Sequence, residues 1–184
     1  MTEATDTRDT ISDEALIARY RAGDERAATA LVERHAPALA RFAASMGERA
    51  DVEELVQDTF VRAFGALDGF RSESSLRTWL FTIERRLLLD RRRSAAREGG
   101  RRALVEAEAV TEHTALDAVV ADEAEARVRL AIERLTPTQR EVFTLRVTEG
   151  RSYKEIAEIA GTTEGAARVH YHNAMRAVKE FLNE

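Results

Sequence analysis

The chain has 184 residues, 28 of them basic and 33 acidic, and a formal net charge of −5. This length fits one domain or two small ones, and the lack of cysteine excludes disulfide scaffolds, thiolate metal sites and cysteine chemistry. No apolar run approaches the roughly 18 residues of a membrane-spanning helix, and the polar, acidic first ten residues do not fit a secretory signal, so we expect a cytoplasmic protein without membrane insertion.

The first fifty residues predict short, capped helices. A low content of helix breakers, 2 Pro and 9 Gly, favours an all-α protein. Ser12 precedes two acidic residues that suit the positive end of a helix, and we expect that helix to end at Gly23. Asp24 caps the next helix, which Pro37 is expected to break or restart.

Residues 51–67 carry the clearest helical pattern. Apolar side chains recur at steps of three and four residues from Val52 to Leu67, while acidic and amide side chains fall on the other faces. This pattern indicates a helix that packs on a core by one face. A turn-rich loop follows at 68–75, with an aromatic residue and an arginine among small polar residues.

A second strong helix carries a short cationic block. Its predicted inward stripe consists of Leu76, Trp79, Leu80, Ile83 and Leu87. Glu84 and the arginines are expected to lie mostly outside this stripe. Residues 83–102 carry eight basic and three acidic side chains and lie between two acidic stretches. Because arginine grips phosphate with a planar fork, this block favours a polyanion such as nucleic acid, and a solvated helix face is the alternative.

The last fifty residues contain a recognisable supersecondary pattern. Capping boxes at Thr136–Gln139 and Ser152–Glu155 each predict the first turn of a helix. The second of these helices ends at Gly161, and Thr162 or Thr163 caps a last helix that runs almost to the end of the chain. A short helix, a glycine turn and a longer helix are typical of a helix-turn-helix.

Two segments together resemble the bacterial sigma-70 family of transcription initiation factors, in its extracytoplasmic-function (ECF) group. The second conserved region of that family resembles residues 51–93, DVEELVQDTFVRAFGALDGFRSESSLRTWLFTIERRLLLDRRR, and the fourth resembles residues 135–182, LTPTQREVFTLRVTEGRSYKEIAEIAGTTEGAARVHYHNAMRAVKEFL. The resemblance implies two small helical domains, at 1–96 and 127–184, joined by a flexible acidic linker at 97–126. It also implies a dissociable subunit of core RNA polymerase that recognises and opens promoters.

The resemblance further implies three binding surfaces. The helix at 51–64 docks on core RNA polymerase, at a coiled coil of its β′ clamp, through Asp51, Glu53, Glu54, Leu55, Gln57 and Asp58. The loop and helix at 68–93 open and read the −10 promoter element through Phe70, Arg71, Ser74, Arg77, Arg85, Arg86, Arg91, Arg92 and Arg93. The last helix reads the −35 element in the major groove through Thr163, Arg168, Val169, His172 and Asn173. The β flap of the polymerase and an anti-sigma factor are further expected partners.

The chain departs from the family pattern at two places. Glu84-Arg85-Arg86 stands where members often have Ala-Arg-Asn, and Glu84 would repel phosphate if it faced DNA. In the recognition helix, Ala167 stands where a hydrophobic residue is common, and Val169, His170 and Asn173 change chemical type, whereas Arg168 and His172 keep it. The −35 sequence therefore does not transfer from the family.

The chemistry of the sequence favours binding over catalysis. It contains no nucleophile elbow, phosphate-binding loop or HExxH motif, so we expect no enzyme activity and no cofactor. His170 and His172 are two residues apart, which places them about 200° apart around a helix, so they do not predict a metal site.

Two other classes of function remain open from the sequence. A one-component helix-turn-helix regulator would bind duplex DNA specifically without polymerase. A non-DNA adaptor would use the acidic helix to bind a partner protein and would show no strong salt dependence with promoter DNA.

Overall fold

The computed structural model describes residues 11–48, 51–102 and 123–183, and this part of the chain is helical. In chain order its α-helices are α1 (Asp13–Arg21), α2 (Glu25–Ser45), α3 (Val52–Ala66), α4 (Leu76–Arg102), α5 (Glu123–Glu133), α6 (Pro137–Phe143), α7 (Tyr153–Ala160) and α8 (Glu164–Leu182). A 3₁₀ turn (Leu67–Gly69) follows α3, and a π turn (Thr144–Thr148) follows α6. None of the described helices is long and apolar enough to cross a membrane.

The predicted helix caps are confirmed. Ser12 Oγ accepts a hydrogen bond from the amide of Ala15 at 3.2 Å, and both capping boxes form, at Thr136 and at Ser152. Gly161 ends α7 with φ 63°, a left-handed conformation that glycine adopts without steric cost. Caps of this kind stabilise a helix by about 1 kcal/mol each. Local side-chain hydrogen bonds therefore help to determine where these helices begin.

The prediction that Pro37 interrupts the second helix is wrong. Helix α2 runs without a break through Pro37. A proline costs about 3 kcal/mol inside a helix, because it removes one hydrogen bond and crowds the preceding turn. On the two sides of Pro37, however, α2 buries Leu31 and Phe42, and burial of side chains of this size contributes about 1.5–3 kcal/mol each. Tertiary packing therefore outweighs the local preference.

Helices α1 to α4 form an N-terminal unit around an aromatic centre. Phe42 of α2 and Phe81 of α4 are fully buried and meet edge to face, with ring centroids 5.3 Å apart. Helix α3 inserts Leu55 and Phe60 into the same core. This core holds α3 and α4 side by side, which places the predicted polymerase-binding helix beside the cationic helix.

Helices α5 to α8 form a C-terminal unit that carries the helix-turn-helix. Helices α7 and α8 pack around Gly161, and α6 packs against α8. The structure thus has the two small helical units expected from the sequence. Most of the predicted linker, residues 103–122, lies outside the described residues, and the described part of 97–126 is helical because α4 continues to Arg102 and α5 begins at Glu123.

The two units pack against each other. Val142, Leu145 and Ile156 of the C-terminal unit are fully buried and belong to the same apolar core as Phe42 and Phe81. Helix α4 faces α7, and α2 contacts α6 and the π turn. We call this the closed arrangement.

Candidate functional site

Helix α3 presents an acidic outer face. Asp51, Glu53, Glu54 and Gln57 are exposed, and Val61, two-thirds of the way along the helix, is 72% exposed. These side chains lie opposite the buried stripe, as the helical period predicts. Such a face suits a basic protein surface with a small apolar contact.

Leu55 does not belong to this face. Its side chain is 0% exposed, because position 55 lies on the inward stripe of α3 with Val56 and Thr59. This burial does not test the predicted contact of Leu55 with polymerase, which stays a prediction. Leu55 instead supports the acidic face from inside the core.

Arg91 of α4 ties the acidic face to the cationic helix. Its Nη2 donates to Asp58 Oδ2 at 2.9 Å and to Glu54 Oε1 at 3.3 Å. Arg92 donates to the backbone carbonyl of Met46, and Arg93 pairs with Asp90 at 3.4 Å. Part of the predicted DNA-binding cluster is thus engaged inside the N-terminal unit.

The loop at 68–75 is anchored by a residue that sequence reasoning missed. Arg21, at the end of α1, donates from Nη2 to the carbonyl of Leu67 at 2.5 Å and to that of Phe70 at 3.3 Å. The ring of Phe70 lies against Trp79, with centroids 4.9 Å apart. No local signal predicts this anchor, because Arg21 is more than forty residues away along the chain.

Phe70 and Trp79 line a cavity beside the loop at 68–75. Its other lining residues include Arg71, which is exposed, and Ser74, which is half-buried. An aromatic surface with polar neighbours can stack an unpaired base and bond its edge. Glu158 of α7, in the other unit, also lines this cavity.

Helix α4 buries a second face against the C-terminal unit. Positions that fall on this face at helical spacing are Arg77, Thr78, Phe81, Glu84 and Arg85. The predicted −10 arginines are thus divided between environments, since Arg86 points into solvent and Arg85 does not. The sequence pattern had assigned only one buried face to this helix.

Carboxylates of the C-terminal unit bind the arginines of that second face. Glu149, which directly follows the π turn, accepts from Arg77 at 3.0 Å and from Arg41 at 3.1 Å. Glu141 of α6 pairs with Arg85. Burial raises the pKa of Glu141, although the hydrogen bond and positive charge of Arg85 act in the opposite direction.

Glu155 of α7 adds a polar contact between the units. The hydroxyl of Thr78 donates to Glu155 Oε1 at 3.0 Å, and Arg151 donates to the same oxygen at 2.9 Å. Partial burial would raise the pKa of Glu155, but the hydrogen bonds from Ser152 and Thr78 and the charge of Arg151 lower it below its usual value. Glu155 is therefore ionised across the physiological range.

Glu84 lies in the middle of this interface. It was predicted to lie outside the inward stripe, and that prediction is wrong, because its side chain is 0% exposed. Neither carboxylate oxygen has a hydrogen-bond partner among the described residues. Burial, and then the negative charge of Glu149, raise the pKa of Glu84 to about 9. Glu84 is thus neutral at pH 7 in the closed arrangement.

The last helix, α8, presents an exposed surface of mixed polar and apolar side chains. Thr163 caps α8, with its Oγ1 accepting from the amide of Ala166 at 3.1 Å. Arg168 and His172 are exposed one turn apart, and Val169 is 58% exposed. Asn173 is half-buried and accepts from Arg176 at 3.4 Å.

Arg168 is stacked rather than extended. Its guanidinium carbon lies 4.9 Å from the centre of the Tyr153 ring, and that of Arg146 lies 4.8 Å from the same ring. Ala167 is fully buried at the contact between α7 and α8, where a small side chain lets the helices approach. Its departure from the family pattern therefore affects packing and not the exposed surface of α8.

Comparison with known proteins places both units in one family. The family model for sigma-70 region 2 matches residues 31–98, and the model for sigma-70 region 4 matches residues 125–178. The RNA polymerase sigma factor NccH of Alcaligenes xylosoxydans xylosoxydans is 36% identical over 159 residues, covering 84% of this chain and 86% of the relative. The ECF RNA polymerase sigma-E factor of Escherichia coli K12 is 30% identical over 180 residues, covering 91% and 93%.

Two solved structures have the same fold over most of the chain. The sigma factor RpoE of Bartonella quintana, in complex with the anti-sigma factor NepR, matches with a TM-score of 0.66 and 32% identity over 83% of this chain and 92% of that one. CnrH, in complex with the cytosolic domain of CnrY, matches with a TM-score of 0.66 and 31% identity over 93% and 97%. The chain belongs to the sigma-70 family, in its extracytoplasmic-function group.

Proposed function

We propose that the chain is an ECF sigma factor that binds core RNA polymerase and directs transcription initiation by reading −35 and −10 promoter elements. The observation that carries this proposal is the match of both regions, at 31–98 and 125–178, in the order of the family. In this role the polymerase performs the chemistry and the chain supplies binding and orientation. The factor therefore works without catalytic residues of its own, in the cytoplasm where the polymerase acts.

This proposal divides the chain into three functional segments. Residues 1–96 bind polymerase and the −10 element, residues 127–184 bind the −35 element, and residues 97–126 connect them. Docking on the β′ clamp uses the acidic face of α3, and its exposed members Asp51, Glu53 and Gln57 support this assignment. We place Glu54 and Asp58 at the edge of the same face, where they also hold Arg91. The C-terminal unit makes the second contact with the polymerase, at the β flap.

Reading of the −10 element relies on the cavity beside the loop. The Phe70–Trp79 pair offers an aromatic surface for an unstacked base, with Ser74 and Arg71 at its rim. Arg86 is exposed on α4 and suits the neighbouring phosphates. The other proposed arginines make intramolecular contacts in the closed arrangement and bind DNA once those contacts break. They are Arg77, Arg85, Arg91, Arg92 and Arg93.

Reading of the −35 element relies on α8. Arg168 can donate two hydrogen bonds to a guanine edge in the major groove, and such a contact discriminates between bases by about 1–3 kcal/mol. His172 lies one turn further along the same face, and Val169 can contact a thymine methyl group. Thr163 at the helix N-terminus and Asn173 complete the proposed set.

An anti-sigma factor is the remaining proposed partner. RpoE of Bartonella quintana was solved in complex with the anti-sigma factor NepR and CnrH with the cytosolic domain of CnrY, and the fold of this chain matches both. We infer that this chain is held by a regulator of the same kind.

Removing Arg86 is expected to weaken promoter binding by the complete holoenzyme in a salt-dependent way. Each phosphate contact adds about 0.9 to the slope of log K against log salt concentration on duplex DNA, and somewhat less on a single strand. Arg86→Ala should therefore lower the slope by nearly one, whereas Arg26→Ala, an exposed arginine in the first turn of α2, should leave it unchanged. Filter binding of holoenzyme to a promoter fragment at several salt concentrations measures both slopes. Equal slopes for the wild type and the Arg86 variant would remove Arg86 from the DNA surface.

A further inference from the structure

Two hydrogen bonds from α1 fix the beginning of the loop at 68–75. Arg21, the last residue of α1, donates from Nη2 to the carbonyl of Leu67 at 2.5 Å and to that of Phe70 at 3.3 Å. Leu67 begins the 3₁₀ turn and Phe70 directly follows it. The amide of Phe70 also donates to the carbonyl of Leu67, at 3.0 Å. Arg21 therefore bridges the two residues between which the chain passes from helix to loop.

Arg21 stands on a helix that the core of the N-terminal unit holds in place. Leu16 and Ile17 of α1 are buried in this core. The ring of Tyr20, the neighbour of Arg21 in the chain, packs against that of Phe64 in α3, with centroids 5.1 Å apart. The backbone position of Arg21 is thus set by α1 and the core and not by the loop that its side chain binds.

The loop itself has a conformation that needs support from outside. Ser72 has φ 57°, in the left-handed region that residues with a Cβ atom adopt at a steric cost, and its side chain is exposed. The far end of the loop is fixed by the first turn of α4, where Ser75 Oγ accepts from the amide of Thr78 at 3.1 Å. Arg21 supplies the corresponding support at the near end.

The position of Phe70 decides whether the cavity beside the loop can stack a base. Its ring lies 4.9 Å from that of Trp79, and both line the cavity. Trp79 belongs to α4, whereas Phe70 belongs to the loop, and its carbonyl is one of the two that Arg21 binds. A binding site of this kind has to be held within about 0.5 Å of its productive geometry. Arg21 therefore acts on the half of the aromatic pair that helix packing does not fix.

We propose that Arg21 is a positioning residue for reading of the −10 element, because its hydrogen bonds to the carbonyls of Leu67 and Phe70 hold the Phe70 ring where an unpaired base stacks. This inference rests on the proposed function. Arg21 acts through Phe70 and needs no DNA contact of its own. Its removal should therefore weaken the one contact that Phe70 makes with a base and leave the other DNA contacts as they are.

Trp79, the single tryptophan of the sequence, reports the position of Phe70 in the free chain. In Arg21→Ala, acrylamide should quench the fluorescence of Trp79 more strongly than in the wild type, approaching the quenching in Phe70→Ala. Arg19→Ala is the matched control and should leave the quenching unchanged. Arg19 also lies in the last turn of α1, so its loss removes the same charge from the same helix end, but its guanidinium pairs with Asp24 at 2.6 Å instead of reaching the loop.

Binding of the complete holoenzyme to opened DNA measures the effect on base reading. The probe is a promoter fragment that wild-type holoenzyme selects from random duplexes, with its −10 element opened by mismatches and each unpaired base replaced in turn by an abasic site. An abasic site removes the base and keeps the phosphate. Because a base stacked on an aromatic side chain contributes roughly 1–3 kcal/mol, the wild type should lose about tenfold in affinity at the position that enters the cavity.

In Arg21→Ala most of this tenfold difference should disappear, since the variant binds the intact fragment more weakly and the abasic fragment as well as the wild type does. Arg19→Ala should keep the full difference. Arg21→Lys keeps a cationic donor at the end of α1 and should lie between the wild type and Arg21→Ala. It provides the same test with a smaller change if circular dichroism shows that the alanine variant is unfolded.

Wild-type quenching of Trp79 in Arg21→Ala would overturn the inference. An equal loss of affinity for the intact and abasic fragments would also overturn it, because a direct phosphate contact or a general loss of stability has that result. If wild-type holoenzyme binds the fragment but no abasic site weakens it, the inference fails and the proposed function stands. If the wild type with core polymerase selects no fragment, the proposed function fails, while the quenching of Trp79 still decides whether Arg21 holds Phe70.

Discussion

Raising the pH from 6 to 8 is expected to shift the chain from closed to separated units by up to about a hundredfold in the equilibrium constant, through Glu84. In the closed arrangement Glu84 keeps its proton up to about pH 9, whereas a water-exposed glutamate loses it near 4.5. Between these values, closing takes up one proton, so each unit of rising pH disfavours closing by about tenfold. Glu84 thereby makes the closed form more stable in acid.

The charged groups around Glu84 do not all act in the same direction. Glu149, directly after the π turn, faces it with a negative charge, which favours the protonated form. Arg77 of α4 and Arg41 of α2 pair with Glu149 and reduce the effect of its negative charge. Burial of Glu84 is the larger cause of its raised pKa and is not changed by these pairs. Burial also raises the pKa of Glu141, against the lowering effect of Arg85. The lowered pKa of Glu155 acts in the opposite direction, but only under more acidic conditions.

Glu84→Gln isolates the effect. Glutamine fills the same space without a titratable proton, so the variant should stay closed at pH 8 and lose most of the pH dependence. Glu155→Gln is the matched control and should keep the dependence between pH 6 and 8. The distance between labels on α2 and α8, measured from pH 6 to 9, provides the readout. A Glu84→Gln chain that opens with pH as the wild type does would contradict the role of this carboxyl.

Reversing charge on the outer face of α3 is expected to weaken binding to core polymerase by on the order of a hundredfold. The variant is Asp51→Lys with Glu53→Lys, because both side chains are exposed, whereas Glu54 and Asp58 hold Arg91 and their loss would disturb the N-terminal unit. Like charges placed opposite each other across an interface cost several kcal/mol, and about 2.7 kcal/mol corresponds to a hundredfold.

The matched control for this face is Glu14→Lys with Glu25→Lys. These residues lie in the first turns of α1 and α2, so the control changes the net charge equally and loses similar favourable contacts with helix N-termini. Biolayer interferometry with immobilised core polymerase measures both affinities, and circular dichroism confirms that both variants are folded. Equal affinities for the two variants would show that the acidic face of α3 does not dock on polymerase.

Local features of the fold were predictable from the sequence because they depend on neighbouring residues. The caps at Ser12, Thr136 and Ser152 and the glycine turn at Gly161 follow from side chains within four positions. The helix-turn-helix follows from the same signals. The failure at Pro37 shows the limit of this reasoning, since distant packing partners decided the outcome.

The interface between the units could not be predicted in the same way. Glu84 looks like a solvent-facing residue when α4 is given one buried face, and its burial depends on where the C-terminal unit lies. The contacts of Arg21 with Leu67 and of Arg85 with Glu141 join residues 46 and 56 positions apart. No period in the sequence encodes such pairs. The helical period thus indicated the exposed acidic face of α3, while the residues of the C-terminal unit that cover part of α4 were not foreseen.

Footprinting on promoter DNA tests the sigma-factor proposal most directly, with the protein alone, core polymerase alone and the two together. Only Arg168, His172 and their few neighbours offer base-reading groups on α8, so the free chain should bind duplex DNA weakly. Polymerase would hold both units at a fixed spacing and so raise the effective concentration of each for its own element. We therefore predict protection of the −35 and −10 elements only in the mixture. A tight, symmetric footprint from the protein alone, unchanged by polymerase, would contradict the proposal and indicate a one-component regulator.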